Sequence, residues 1–188
     1  MYDTLTDRLP AIAFEQMSSM QQSAARSVID GPRGALYGPF IPLIRSPELL
    51  LAAQAMGEYL RFRSAIGVQL TELAILITAR HWNQQVEWAI HAPIATQQGI
   101  NSNIINSISL RQRPVSMSDE EAIVHDFCVE LHQQKGVSER TYLAALTRFG
   151  ELGVVDLIGI NGYYTFLAMV MNAAQTSVPH SSATPLPE

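Results

Sequence analysis

The segment GVVDLIGINGYYTFLAMVMNAAQT, residues 153–176, constrains the fold more than any other part of the chain. Its apolar residues are spread around nearly the whole circumference of a helix instead of following one face. A helix of that kind is buried on all sides, either in the core of a domain or between subunits. The other elements are therefore predicted to pack around this helix.

The remaining periodic segments are also helical, and none shows the Val/Ile/Thr alternation between hairpin turns that is typical of strands. Predicted helices cover roughly residues 14–29, 46–65, 71–82, 84–98, 101–110, 118–136 and 138–150. Capping signals support their ends, such as Ser46 followed by Pro47, and Ser118 with Glu121 three residues on. The fold class is predicted to be all-α, a bundle of about seven to eight helices without a sheet.

The length of 188 residues suits one domain, and 47% apolar residues are enough to fill one core. We expect a single helical domain over residues 1–176. Residues 177–188, SVPHSSATPLPE, are predicted to form a disordered tail because they are rich in Pro and Ser. Charged residues make up only 15% of the chain, below the roughly 25% usual for soluble domains. This favours subunit contacts, and a plain apolar monomer is the alternative.

Several classes of protein do not fit the composition. The formal charge of −5 argues against a nucleic-acid binder, which needs a basic surface to neutralise phosphates. GPRGALYGPF, residues 31–40, is glycine-rich but has no preceding strand and no following Lys-Ser or Lys-Thr, so we predict a structured loop and no nucleotide site. Neither a secretory signal nor an 18-residue apolar run is found, so we expect a cytoplasmic protein without a membrane span.

Two consecutive predicted helices contain four ionisable residues, Glu72, Arg80, Glu87 and His91. Glu87 and His91 are one turn apart and share a helix face. A carboxylate beside an imidazole fixes its tautomer and favours its protonated form, which suits proton transfer near neutral pH. The alternative is a surface pair that stabilises the helix by about 0.2–0.5 kcal/mol. Glu72 and Arg80 are two turns apart and could face the same cleft.

The stretch ELAILITARHWNQQVEWAIHAPIATQQGI, residues 72–100, is similar to the core motif of the carboxymuconolactone decarboxylase family. That family shares its all-helical fold with the alkylhydroperoxidase D-type proteins. The matching positions are Glu72, Ala79-Arg80, Glu87-Trp88, His91, Ala95 and Gly99. The likeness extends over residues 30–175, through RSPELL, GEYLRF and DEEAIVHDFCVEL among other stretches.

The redox branch of this superfamily carries Cys-x-x-Cys ahead of the histidine. Those two positions fall on Gln84 and Glu87, and Cys128 is the only cysteine in the chain. Thiol–disulfide exchange needs both thiols, so thiol peroxidase activity is disfavoured.

The resemblance implies a cofactor-independent carboxy-lyase that acts on a small lactone or unsaturated carboxylic acid. It makes His91 the proton donor or shuttle. Glu87 would orient His91 and tune its pKa, and Arg80 would clamp the substrate carboxylate. Glu72 would act as a second acid or base, or else pair with Arg80. The reaction needs no metal and no cofactor, and the spacing of His, Asp and Glu indicates no metal site.

Substrate-binding residues are predicted around this group. If the loop 31–40 folds over the helix pair, Arg33 can bind an acidic substrate while Tyr37 and Phe40 form the walls of the pocket. A solvent-exposed charge is the alternative for Arg33. His81 and Trp88 are further candidates for the lining, with ordinary packing as the alternative for both.

Two other functions stay open at this level. One is a cofactor-free isomerase or lactone hydrolase that uses the same His–Glu pair. The other is a non-catalytic helical oligomer that binds a small molecule. Members of the family usually assemble as trimers or hexamers, so the resemblance implies a homo-oligomer, and a small molecule is the only other partner expected.

Overall fold

The computed structural model describes residues 7–31, 33–181 and 183–188, and over these residues it contains eight α-helices and no strand. The helices are α1 (Ser19–Ile29), α2 (Phe40–Leu43), α3 (Pro47–Arg63), α4 (Val68–His81), α5 (Gln85–Gln97), α6 (Ser102–Ser109), α7 (Asp119–Gln134) and α8 (Glu139–Ala174). The predicted all-α class and the helix number are confirmed.

The first helix begins later than the pattern predicts. Residues Phe14–Gln16 form a 3₁₀ turn, and α1 starts at Ser19. Ser18 caps α1 through its hydroxyl, which accepts from the Gln21 N–H, while the Gln21 side chain accepts from the Ser18 N–H. This capping box fixes the start of α1 and excludes the preceding residues from it.

The helix α4 lies at the centre of the bundle. Every residue from Leu70 to Arg80 is buried, and α4 packs against α3, α5, α6, α7 and α8. Because a central helix has no solvent face, its ionisable side chains are placed inside the protein. Glu72 and Arg80 are therefore buried at opposite ends of the same helix.

The last two predicted helices form one element, α8, with a kink at Gly150. Gly150 has φ 67° and ψ 179°, a conformation that only glycine adopts without strain. Within a single chain α8 is not buried all round, since Leu152 and Val155 are 61% and 63% exposed. Although α8 is long and apolar enough to cross a membrane, this is weak evidence because the core helix of a soluble protein passes the same test.

The helix α5 contains Pro93, which has no N–H to donate to the carbonyl of Ala89. The C-terminal segment compensates, since the Ser181 hydroxyl donates to that carbonyl at 2.5 Å. The sequence predicts disorder for residues 177–188, and this stays a prediction; in the structure, described residues of this segment lie against α5. The physical reason is that its backbone groups find partners there.

Three further hydrogen bonds hold the segment to α5. The Trp88 indole N–H donates to the Thr184 carbonyl at 3.1 Å. The Gln85 side-chain amide pairs with both the N–H and the carbonyl of Leu186, at 2.9 Å each. The Leu186 side chain joins the hydrophobic core.

Candidate active site

A chain of four charged side chains crosses the interior from α3 to α5. The Arg61 Nε donates to Glu72 Oε1 at 3.4 Å, and Glu72 Oε2 lies 2.6 Å from His91 Nδ1. The other ring nitrogen, Nε2, lies 3.2 Å from Glu87 Oε2. His91 is thus held between two carboxylates that come from different helices.

The imidazole of His91 is buried, and burial by itself lowers the pKa of a histidine because it disfavours the charged form. The Glu72 carboxylate acts in the opposite direction through charge and hydrogen bonding, and Glu87 adds to it. Together the two carboxylates outweigh burial and raise the pKa of His91 above 6.5. The two carboxylates therefore favour the imidazolium form of His91, which can donate a proton.

Glu72 is fully buried, which by itself raises its pKa. The charges and hydrogen bonds of His91 and Arg61 reverse that effect and lower the pKa below 4.5. Glu72 therefore stays ionised. Nδ1 of His91 is held by Glu72, so Nε2, which lies 3.2 Å from Glu87 Oε2, is the nitrogen that can exchange a proton with Glu87 or with a substrate.

A small cavity of about 10 Å³ lies beside His91. It is walled by Arg33, Tyr37, Phe40, Arg61, Glu87 and Tyr164, with Pro39, Ile90 and Leu167 completing the lining. This volume holds about one water molecule. The conformation described is therefore a closed one, in which the loop before α2 covers the histidine.

Four buried polar atoms around this cavity and the adjoining space have no hydrogen-bond partner among the residues that the structure describes. They are Arg33 Nη2, Gln54 Nε2, Glu87 Oε1 and Tyr163 Oη. Buried polar groups are rarely left unpaired because each one costs about 1–3 kcal/mol. A group of them beside a cavity indicates a site for a polar ligand or for ordered water.

Gly57 makes room for two members of this group. A Cβ at position 57 would lie 2.1 Å from the Tyr163 hydroxyl and 2.7 Å from Arg33 Nη2. No side chain can occupy that space while Tyr163 and Arg33 stay in place. This close approach accounts for a glycine in the middle of α3, where it weakens the helix by about 1 kcal/mol relative to alanine.

Six of the predicted site residues meet at this place. The helices bring together Glu72, Glu87 and His91, and the loop 31–40 adds Arg33, Tyr37 and Phe40. The guanidinium of Arg33 lies over the Phe40 ring at 4.6 Å, and its Nε donates to Gln54 Oε1 at 2.7 Å. These contacts place the described loop residues 33–39 beside His91, which is the condition on which the roles expected for Arg33, Tyr37 and Phe40 depend.

Three predicted residues lie elsewhere. Arg80 neither pairs with Glu72 nor lines the cavity beside His91. Its Nη1 donates to Asn83 Oδ1 at 2.5 Å, because two helical turns carry it to the opposite end of α4. His81 accompanies Arg80 and stacks on His132 at 4.5 Å. Trp88 points toward the C-terminal segment.

The pairing of the two acids also differs from expectation. The sequence predicts that Glu87 orients His91, whereas Glu72 makes the shorter contact and fixes Nδ1. Arg61 takes the place expected for Arg80 as the partner of Glu72. Arg61 lies within GEYLRF, a stretch that the family likeness includes, but no spacing rule links α3 to α4 and α5.

Gln84 and Glu87 occupy the two positions at which the redox branch has cysteines. Gln84 is the N-cap of α5, and its side chain accepts from the Val86 N–H and donates to Asn172 Oδ1. The single cysteine, Cys128, lies in α7, where burial raises the pKa of its thiol to about 12. It therefore supplies no thiolate near neutral pH.

Over residues 7–31, 33–181 and 183–188, no group of three or more His, Cys, Asp or Glu side chains is arranged to hold a metal ion.

Comparison with solved structures shows the fold of this chain. An uncharacterised peroxidase-related protein with an alkylhydroperoxidase AhpD core, from Ralstonia eutropha, superposes with a TM-score of 0.75 at 15% identity, over 92% of each chain. The debrominase Bmp8, solved in complex with 2,3,4-tribromopyrrole, gives 0.73 at 12% identity over 94% of each chain. A protein of unknown function from Agrobacterium tumefaciens gives 0.65 at 16% identity, over 74% of this chain and 96% of its own.

No protein-family model and no curated protein sequence matches the chain. The structural matches nevertheless define an alkylhydroperoxidase D-like fold, as the sequence resemblance predicts. The narrower assignment to the carboxymuconolactone decarboxylase family stays a prediction. One of the superposed proteins is an enzyme, a debrominase, so this fold supports catalysis in at least one case.

Proposed function

We propose that this protein is a cofactor-independent enzyme that binds a small, unsaturated or lactone carboxylic acid and moves a proton with His91. The observation that carries the proposal is the imidazole clamped between Glu72 and Glu87 beside a cavity that Arg33 and Arg61 line. Two arginines at the cavity favour an acidic substrate, because a guanidinium matches the planar geometry of a carboxylate.

Decarboxylation is the reaction that this arrangement supports best. The bond between the substrate carbon and its carboxylate breaks, and its electron pair moves into the conjugated carbonyl to give an enolate and carbon dioxide. The His91 Nε2 proton then passes to the carbon as the enolate collapses. General acid help of this kind is typically worth about 10²–10⁴-fold in rate.

The two sides of the cavity suit different parts of such a substrate. Arg33, whose Nη2 has no partner, can hold a carboxylate that is retained or the carbonyl that becomes the enolate. Ile90 and Leu167 offer an apolar wall close to Glu87. A carboxylate placed there is poorly stabilised, and it gains when it leaves as neutral carbon dioxide.

Substrate access requires motion, because the closed cavity holds about one water molecule. Residues 33–39 cover it and include Gly34 and Gly38, both at positive φ. Displacement of this loop would enlarge the cavity without disturbing the contacts of Glu72 with His91. Loop closure of this type excludes water from a reacting site.

An isomerase is the second candidate, and one atom favours it. Glu87 Oε1 is buried and has no partner, so it can act as a base that removes a substrate proton while His91 returns one elsewhere. Such a reaction releases no carbon dioxide. A lactone hydrolase would instead add water and give a ring-opened hydroxy acid.

The test is a panel of unsaturated lactone acids, assayed for carbon dioxide release and for product structure by NMR. We expect carbon dioxide from at least one acid, and we expect H91Q to lower that turnover by about 10²–10⁴-fold while keeping the wild-type circular dichroism. The matched control is H180Q, an exposed histidine in the C-terminal segment. Product without carbon dioxide selects isomerisation or hydrolysis, and full activity in H91Q refutes the proposed role.

A second comparison tests the substrate class. The methyl ester of an active acid keeps its shape but loses the charge that Arg33 and Arg61 would meet. We expect the ester to bind more weakly than the acid. In R33Q we expect a smaller difference between the affinities for the acid and for the ester. Equal binding of acid and ester would contradict an acidic substrate.

A further inference from the structure

A second cavity, of about 130 Å³, lies at the other end of α4 between α4, α6 and α7. Its polar lining includes Arg80, His81, Arg111, His125 and His132. None of the described residues that line it also lines the cavity beside His91. Nothing in the proposed reaction uses this second cavity.

Its innermost cation is Arg80. Only 5% of this residue is exposed, and its Nε has no hydrogen-bond partner within the described part of the chain. Over residues 7–31, 33–181 and 183–188, the guanidinium makes one hydrogen bond, from Nη1 to the neutral amide of Asn83. A buried guanidinium without a carboxylate is unusual, since buried charges are normally paired.

Further positive charge surrounds Arg80. Arg111 lies at the rim, held at φ 57° in the turn that follows α6, and Gln112 follows it. The Lys135 ammonium donates to the His132 carbonyl at 2.8 Å, next to the cavity. The glutamine amides of Gln112 and Gln133 add neutral donors to the lining.

The imidazoles respond to this positive field. Burial first, and then the neighbouring His81 and Lys135, lower the pKa of His132 to about 4. Burial, Lys135 and Arg111 lower the pKa of His81 in the same way. The two rings stack at 4.5 Å with 14° between their planes. Because their pKa values are lowered, both rings remain neutral near pH 7 and can gain a proton if an anion binds.

The acidic side chain that contacts the cavity lining, Asp126, is already paired with Arg113 and His125. No carboxylate is among the described residues that line the cavity. Asp126 contacts one of the lining histidines: it accepts from His125 Nδ1 at 3.0 Å and from two nitrogens of Arg113 at 3.0 Å. The cavity therefore keeps an excess of positive charge.

We infer that this cavity is a binding site for a small, multiply charged oxyanion, of the phosphate or polycarboxylate type. Guanidinium groups and imidazoles are the side chains that recognise such anions through charge-assisted hydrogen bonds. The volume exceeds that of one water and falls well below the roughly 300–1,000 Å³ of sites for drug-sized ligands. The ligand is therefore a small ion or a small acid.

The first test is calorimetric titration of the full chain with inorganic phosphate, and in parallel with malonate, at low ionic strength. We expect saturable binding of at least one of them. R111Q removes a cation at the exposed rim and should weaken the binding by about tenfold or more, as expected for the loss of one charged hydrogen bond. R140Q makes the same charge change at an exposed position of α8 and should leave the affinity unchanged.

The second test reads the cavity directly. The ring-proton NMR titrations of His81 and His132 should move to higher pKa when the anion is present, whereas His180 should not respond. R80Q, checked for folding by circular dichroism, should abolish this effect. Absence of saturable binding, or equal losses in R111Q and R140Q, would overturn the inference. Binding that leaves both imidazole titrations unchanged would place the anion elsewhere and would also overturn it.

Discussion

Replacing Glu72 with glutamine tests the charged chain at its centre. The variant keeps the shape of the side chain but removes a fully buried negative charge that contacts both His91 and Arg61. Arg61 loses its carboxylate partner, and His91 keeps only Glu87. Breaking a buried ion pair by removal of one partner costs about 3–5 kcal/mol, because the remaining charge is left uncompensated.

Urea unfolding, followed by circular dichroism and extrapolated to zero denaturant, measures this cost. We expect E72Q to lower the free energy of unfolding by about 3–5 kcal/mol and to lower the pKa of His91, read by NMR. The matched control is E120Q, which removes the same charge from the exposed pair of Glu120 with Arg148 and should cost less than about 1 kcal/mol. If E72Q cost no more than E120Q and left the pKa of His91 unchanged, the buried ion-pair reasoning would be refuted.

Three further predictions follow from other features. Thermal unfolding at a series of pH values should show that stability is highest at intermediate pH and falls on both the acid and the alkaline side. On the acid side, the lowered pKa of Glu72 contributes stability that is present above pH 4.5 and lost as the pH falls through the pKa of the folded state. The raised pKa of His91 contributes stability that is complete below pH 6.5 and lost as the pH rises through its folded value, so H91Q should lack this second decline. S181A should lower the free energy of unfolding by about 1–3 kcal/mol, because the Ala89 carbonyl, to which Pro93 has no N–H to donate, loses its hydrogen bond from the Ser181 hydroxyl. S177A should lower the free energy of unfolding less. Light scattering should give a homo-oligomer of three or six copies, with the exposed apolar residues Leu152 and Val155 of α8 in the contact, and a monomer would contradict this.

The helices were largely predictable from the sequence because their signals are local. The capping box of Ser118 with Glu121 and the Pro47 start of α3 appear in the structure as expected. The short helix α2 was not predicted, since one turn of helix carries no periodic pattern. The kink at Gly150 was predicted as a break between two helices, because a glycine signals a change of direction without showing whether the helix resumes at once.

In the candidate site, too, the residues on one helix were predictable, whereas those that depend on the packing of several helices were not. The pair of Glu87 with His91 follows from spacing on one helix, and the likeness to a known motif adds Glu72. Arg61 and Gln54 lie on α3, and the contacts of Arg61 with Glu72 and of Gln54 with Arg33 depend on how α3 packs against α4 and the loop before α2. That packing is a tertiary contact for which the chain carries no local signal. Tertiary packing also explains why Arg80 lies outside the site around His91. It follows Glu72 by eight residues on α4, and this distance along the helix places its side chain at the other end of the bundle.

If the proposed reaction takes place, the charged chain through the interior has a consequence for turnover. With His91 protonated, Arg61 and His91 balance Glu72 and Glu87, so these four side chains are together electrically neutral. Once His91 has given up its proton, the same four side chains carry one unbalanced negative charge in a poorly solvated place. That charge repels an anionic product and draws a replacement proton from the solvent. Product departure and recovery of the resting enzyme would therefore be driven by a single electrostatic change.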